Sequence, residues 1–332
     1  MKKVPGRLVP VIALIIVWLI FVIPPLHAET IFMGIVTGGP TGTYYQFGLN
    51  LQQLVQPKGI NLKVANSKGS VENIYAVYKR PNTQLGIVQS DVLAFVARVQ
   101  TDPVLKKIAK KIKMVFPLYN EEIHLVGRGD IVSFDDLAGR KVAIGKEGSG
   151  TYLTTKLLFE VSEIRPAEMI TLGTEQALAA LKAGQIDAMF YVAGLPVKLF
   201  SENIATSDGL KLVPILNKSI TEFYPQAEIP AGTYGFQSDA VKTAAVKAVL
   251  VSFNFRRANC EHVGQFASHL ANNIERLRAN GHPKWQSVDL NYPLKGWEQY
   301  DCVKKYLAEP APPPKKRQEE LNPVLNAIKE ML

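Results

Sequence analysis

From Ile31 onward, short β-branched runs alternate with amphipathic stretches at helical spacing, and no other feature narrows the fold as far. Residues 31–36, 60–65, 85–88 and 114–118 read as strands. Residues 43–56, 70–78 and 91–99 read as helices, the first through Tyr44, Phe47, Leu51, Leu54 and Val55. A second series follows, with strands at 124–126, 141–144, 168–172 and 186–191 and helices at 149–161 and 174–182. Repeated βα units imply an α/β fold whose parallel strands are joined by right-handed crossovers. Loops 37–43, 65–69 and 89–90 then lie at the carboxyl ends of strands, where such sheets form their crevice. Further on, the Thr- and Val-rich residues 241–251 read as a strand and 259–279 as a helix.

Two of these strand-to-helix loops share a chemistry. Gly38-Gly39-Pro40-Thr41-Gly42-Thr43 opens one helix, and Gly145-Lys146-Glu147-Gly148-Ser149-Gly150-Thr151 opens another about a hundred residues later. A helix N-terminus presents unpaired N–H groups and the positive end of the helix dipole, which suits an anion. The pair suggests one small anion gripped from two sides. Thr41, Gly42, Thr43 and Tyr44 can donate backbone and hydroxyl hydrogen bonds, but they also suit a plain turn capped by threonine. Ser67-Lys68-Gly69-Ser70 and Gln89-Ser90-Asp91 carry the same two readings, with Ser90 as a candidate cap. Gly148-Ser149-Gly150-Thr151 is more specific, because its glycines let a backbone approach a ligand closely. Tyr44, Tyr45 and Tyr152 are core aromatics or pocket walls, and their place beside the glycine loops favours walls.

Searches for catalytic and metal-binding patterns return little. The five histidines form no H-E-x-x-H, and there is no C-x-x-C, Walker A or G-x-G-x-x-G motif. Ser149 does not sit in G-x-S-x-G, and only Glu147 and Asp91 are acids near it by sequence. Neither an enzyme, a metal nor a cofactor is expected.

Composition matters chiefly at the ends. Lys2, Lys3 and Arg7 precede an uncharged apolar run of about 16 residues, broken by Pro24-Pro25 and followed by Ala28. This is the layout of an export signal, residues 1–28, with a retained N-terminal anchor as the alternative. Its removal takes three basic residues, so the formal charge falls from +9 to +6. Apart from Lys106-Lys107, Lys110-Lys111-Lys113 and Lys315-Lys316-Arg317 the remaining Lys and Arg are scattered, no nucleic-acid motif accompanies them, and no nucleic-acid partner is expected. Cys260 and Cys302 form one disulfide in an oxidising compartment, or remain two unrelated thiols. The chain ends in a proline break at 312–314 and a short helix-like tail, together 309–332.

Several short motifs recur together in order. Gly42-Thr43-Tyr44-Tyr45, Gly69-Ser70-Val71-Glu72-Asn73, Ile87-Val88-Gln89-Ser90-Asp91, Gly148-Ser149-Gly150-Thr151, Gly184-Gln185-Ile186-Asp187-Ala188, Gly194-Leu195-Pro196 and Ile229-Pro230-Ala231-Gly232-Thr233-Tyr234 fall within residues 31–251. Their succession resembles the TAXI solute-binding proteins, the extracytoplasmic receptors of a branch of the tripartite ATP-independent periplasmic (TRAP) transporters. The resemblance implies a type II periplasmic-binding-protein fold, with two α/β lobes flanking a ligand cleft and joined by crossing strands. One lobe would comprise 29–119 with 231–308, the other 120–230. It also implies a periplasmic receptor for a small organic anion, such as glutamate or 2-oxoglutarate, delivered to TRAP membrane subunits. Thr43, Tyr44, Ser70, Gln89 and Ser90 would serve the site from one lobe, and Ser149, Gly150 and Thr151 from the other. Gly194 and Thr233 would lie at its edge. A membrane-anchored sensor signalling to a partner is the rival expectation.

Overall fold

Ten strands among the described residues pair into one sheet. In the computed structural model, which describes residues 30–92, 95–96 and 102–308, these are β1 (Ile31–Val36), β2 (Ile60–Ala65), β3 (Leu85–Gln89), β4 (Ile112–Arg128), β5 (Lys141–Ala143), β6 (Glu168–Ile170), β7 (Ala188–Ala193), β8 (Leu210–Leu212), β9 (Gln226–Ile229) and β10 (Val241–Phe253). The helices are α1 (Thr43–Val55), α2 (Ser70–Lys79), α3 (Pro103–Ala109), α4 (Gly150–Ser162), α5 (Thr174–Lys182), α6 (Lys198–Asn203), α7 (Lys218–Phe223), α8 (Ala258–Asn272), α9 (Ile274–Asn280) and α10 (Asp301–Ala308). The strand order is β2-β1-β3-β10-β4-β7-β5-β6, with β8 on β4 and β9 on β10. The expected export segment 1–28 and the expected tail 309–332 lie outside the described residues, as does part of the helix expected at 91–99.

The expected α/β fold is what the structure shows, as one continuous sheet whose two ends, here termed the first and second lobes, are each flanked by helices. In the first lobe β1 pairs in parallel with β2 and β3, and its side chains alternate between two covered faces. Ile35 packs with Phe47, Leu51, Phe266 and Trp285, whereas Val36 packs with Ile74, Val77 and Val88. A parallel strand flanked by helices on both sides must be apolar throughout, which is why 33–36 carries no charge. In the second lobe β5 pairs in parallel with β6 and β7. There Phe134, Phe159 and Phe190 fill one face, and Leu178, Leu181, Met189 and Phe200 the other.

Two long antiparallel strands join the lobes. β4 pairs with β10 from Ile112↔Phe253 to Glu122↔Ala245, then with β7 from Glu122↔Ala193 to Gly127↔Ala188. The two strands expected at 114–118 and 124–126 are therefore one of 17 residues. Asn120-Glu121-Glu122 interrupts the apolar pattern, yet its backbone stays in the ladder while its acids face the cleft and Lys284. β10 holds the strand expected at 241–251.

Residues after 230 still pack with the end of the sheet that holds β7: Tyr234, Phe236 and Val241 with Met189 and Phe200, and Ala244 and Val246 with Phe190 and Val192. One further expectation needs correction. The helix read over 259–279 is two, because Asn273 between α8 and α9 takes φ −129° and turns its side-chain amide back onto the His269 carbonyl at 2.8 Å. Cys260 on α8 and Cys302 on α10 form a disulfide, with Cα atoms 5.6 Å apart and a separation of 42 in sequence.

Candidate functional site

Four helices begin at one place. The N-termini of α1 and α2 from the first lobe and of α4 and α5 from the second all border a cleft of about 440 Å³. Its size suits a small molecule. The first-turn N–H groups of a helix have no acceptor within the helix. Here α1 and α2 begin at Gly42 and Gly69, neither of which has a side chain to cap them. Their donors and dipoles therefore point into the cleft uncompensated by any cap.

The lobes meet across this cleft. Thr43 Oγ1 donates to the Gly194 carbonyl at 2.8 Å, and Thr41 Oγ1 to Glu175 Oε1 at 3.0 Å. Gly69, at φ +124°, lies so close to the second lobe that a Cβ there would come within 3.3 Å of the Gly150 nitrogen. A Cβ on Gly150 would fall 1.6 Å from Gln89 Oε1 and 2.7 Å from Ser70 Oγ. Gly69 needs glycine for its positive φ, and Gly150 because two loops touch there. Deeper, Asp91 accepts hydrogen bonds from Thr154 Oγ1 (2.8 Å) and Tyr224 Oη (3.2 Å) of the second lobe. Burial pushes the Asp91 carboxyl up to about 6 against the pull of those two hydroxyls.

The expected residues separate into groups. Thr43, Tyr44, Ser70, Gln89, Ser149, Gly150 and Thr151 all line the cleft. Three of their hydroxyl oxygens accept from the backbone: Ser70 Oγ from Gln89 N (3.1 Å), Ser149 Oγ from Tyr152 N (3.1 Å) and Thr151 Oγ1 from Val192 N (3.1 Å). The remaining three expected residues do not border the cleft. Gly194 sits behind the wall against the Tyr119 ring and serves through its carbonyl. Ser90 Oγ accepts from Lys247 N of β10 at 3.0 Å, which fixes the end of β3 instead of capping a ligand loop. Thr233 closes its own turn by donating to Pro230 O at 2.7 Å. The conspicuous residue of that turn is Tyr234. Its hydroxyl accepts from Val197 N (3.0 Å) and donates to His124 Nε2 (2.8 Å), so His124 Nδ1–H donates to Glu122 O at 3.0 Å. Burial holds that imidazole neutral, down to about 4.

Sequence reasoning missed Glu121 and Tyr191. Both line the cleft. Tyr44 Oη donates to Glu121 Oε2 at 2.7 Å. Burial raises the Glu121 carboxyl well above the usual carboxylate range, and the nearby acids Asp91 and Glu122 raise it further, against Tyr44 and Lys284, which lower it. Burial likewise raises the Tyr191 hydroxyl. The available signal was the acidic pair Glu121-Glu122 inside an apolar strand run. Its second member forms a buried ion pair with Lys284, Oε1 to Nζ at 2.6 Å, while Oε2 accepts from Leu195 N at 3.3 Å. Among the described residues there is no cluster of His, Cys, Asp and Glu that could hold a metal, and no helix long and apolar enough to cross a membrane.

Several solved structures resemble this one. The periplasmic binding protein BugD is 13% identical, with a TM-score of 0.49 over 78% of this chain and 87% of its own. A histidine kinase sensor domain with similarity to periplasmic binding proteins is 18% identical, with a TM-score of 0.48 over 78% and 98%. An arginine transport-system periplasmic binding protein from Legionella pneumophila is 13% identical, with a TM-score of 0.45 over 77% and 97%. A family description covers most of the folded chain: over residues 35–289 the sequence matches the NMT1-like family, and the protein belongs to that family.

Proposed function

We propose that this protein is an extracytoplasmic receptor that captures a small organic anion by closing its two lobes and delivers it to TRAP membrane subunits. The observation that carries this reading is the convergence of helix N-termini from both lobes on one small cleft. A carboxylate placed there is stabilised by several neutral donors at once, without an arginine. A ligand touching both lobes favours the closed arrangement by the difference in its affinity for closed and open states. Ser149 caps α4 by accepting from Tyr152 N through Oγ, its hydroxyl proton is left to donate to a ligand, and binding without chemistry is the simplest use of such a site. The ordered motifs from Gly42 to Tyr234 support the TAXI branch of TRAP receptors, and the basic-apolar layout of residues 1–28 supports export.

Calorimetry on ligand-stripped protein with glutamate, 2-oxoglutarate and succinate tests the reading. Binding of at least one is expected; failure of folded protein to bind any small carboxylate overturns it. A second reading, a membrane-anchored sensor, is favoured by the same apolar run at the N-terminus if it is retained. The mass of the mature protein separates the two: loss of about 28 residues supports the free receptor.

A further inference from the structure

The cleft occupies one end of the first lobe, and the opposite end is basic. β1 and β3 run parallel and end at the cleft, through Gly38 and Gln89. β10 runs antiparallel to β3, from Ala248↔Gln89 to Ser252↔Leu85, so its carboxyl end lies away from the cleft. β4 begins there too, with Ile112 opposite Phe253. α2 starts at the cleft with Ser70 and runs back to Lys79, and α3 leads into Lys110-Lys111 just before β4. Chain direction thus gathers Lys106, Lys107, Lys110, Lys111, Arg256 and Arg257 at the far end of the lobe.

These charges stand beside exposed rings. The Tyr78 and Phe253 ring centroids are 5.2 Å apart, those of Phe253 and Phe255 5.5 Å, and the Lys111 ammonium lies 6.0 Å over the Phe253 ring. Tyr78 is 50% exposed, and Phe32, at the amino end of β1, is 64% exposed. Among the described residues none of the six cations pairs with an acid, whereas Arg80 pairs with Glu72 and Lys113 with Glu298. Glu261, whose N–H donates to Arg257 O at 3.2 Å, is the exposed acid beside them. Arg257 holds φ +56° and ψ −138°, a conformation that favours glycine, so an arginine is kept there at a conformational cost. The chain enters the fold at this same end: Ile31 N donates to the Gly59 carbonyl at 2.9 Å, and only residues 24–30 separate Ile31 from the uncharged apolar run 8–23.

We propose that this end of the first lobe rests on an anionic bilayer surface, with its lysines and arginines against lipid phosphates and Phe32 and Tyr78 at headgroup level. Each Lys or Arg near such a surface strengthens binding by roughly fivefold, and amphipathic rings settle at the headgroups. An acidic protein face would match the charges equally, but it gives no reason for the apolar run to enter the fold here. The cleft, at the other ends of β1 and β3, then faces the aqueous side from which ligand arrives. This goes beyond the receptor reading and does not depend on which ligand the cleft takes.

Vesicle co-sedimentation tests it on the chain from residue 29 onward, so that the apolar run contributes nothing; the chain from Ile31 onward forms a compact unit of its own. Vesicles of phosphatidylethanolamine with about a third phosphatidylglycerol are compared with vesicles of phosphatidylcholine alone. Partition at least tenfold stronger onto the anionic vesicles is expected, weakening as salt rises. Lys106→Glu/Lys107→Glu/Lys110→Glu and Arg256→Glu/Arg257→Glu should each lose at least tenfold, and Phe32→Ser/Tyr78→Ser at least threefold, in variants whose thermal midpoints stay within a few degrees of the parent. No preference for the anionic vesicles overturns the inference, as does unchanged partition in any of the three folded variants. Binding to polyglutamate without binding to the anionic vesicles assigns the face to an acidic protein and overturns it equally.

Discussion

Single atoms decide how closely the two glycine loops meet at the cleft. Gly150 stands where a methyl group would strike Gln89 Oε1 and Ser70 Oγ. Gly150→Ala is therefore expected to keep the fold, since Ala is a better helix former than Gly, but to hold the lobes apart. Ligand affinity should drop at least tenfold while the thermal midpoint stays within a few degrees; unchanged affinity would show that the loops can part without cost. Asp91 offers a pH test. Its carboxyl sits near 6 in the folded protein against 3.8 for the free side chain. Between those values the folded state binds more protons than the unfolded one, so this group's contribution to stability falls as pH rises through that window. Asp91→Asn should remove that fall. Urea midpoints of variant and parent are expected to diverge in the variant's favour from pH 4 to pH 7, and a difference independent of pH would contradict the assignment.

At the scale of elements, the strands and helices of the first βα units were legible because each is apolar on the faces that neighbours cover. Ile35 and Val36 supply opposite faces of β1, and Phe47, Leu51 and Leu54 supply the buried stripe of α1. β4 was not legible as one strand. Its polar centre mimics a loop in local pattern, and only pairing with β10 on one half and β7 on the other keeps it extended. The α8–α9 break was hidden for a related reason: Asn272-Asn273 is tolerated in a helix, and the turn there is set by packing of Leu270 and Leu277 into the same core. The disulfide between α8 and α10 is an element-scale staple. Closing a loop of its 42-residue separation restricts the unfolded chain, and the double variant Cys260→Ser/Cys302→Ser should lose about 4 kcal/mol by urea denaturation. Because both cysteines pack with the first-lobe core, ligand affinity in the remaining folded protein should be unchanged.

Over the whole molecule, the surroundings of the cleft are tied together by contacts between segments far apart in sequence. Lys284, in the 3₁₀ turn Pro283–Ser287, pairs with Glu122 on the crossing strand, and Glu122 also holds the Leu195 nitrogen of the second lobe. Trp297 Nε1 donates to the Ser90 carbonyl at 3.1 Å. The C-terminal segment thus straps the place where the lobes join. Removing one partner of a buried ion pair leaves an uncompensated charge, so Lys284→Met should destabilise by about 3–5 kcal/mol. Replacing both, as Glu122→Gln/Lys284→Met, should recover a good part of that loss in thermal or urea unfolding; no recovery would mean that Lys284 matters through something other than this pair.

The sequence by itself determined the α/β class, the positions of the glycine-bearing loops and the candidate donors Tyr44, Ser70, Gln89, Ser149, Gly150 and Thr151. These follow from periodicity and turn chemistry, which act over a few residues. Tertiary structure alone decided that Glu121 and Tyr191 join the same cleft, that Ser90 and Thr233 serve the backbone instead, and that residues after 230 still pack with the end of the sheet that holds β7. Those outcomes depend on which face of a strand meets the cleft and on which lobe a segment packs against. Such choices are settled by burial and pairing among residues more than a hundred positions apart, which local pattern does not encode.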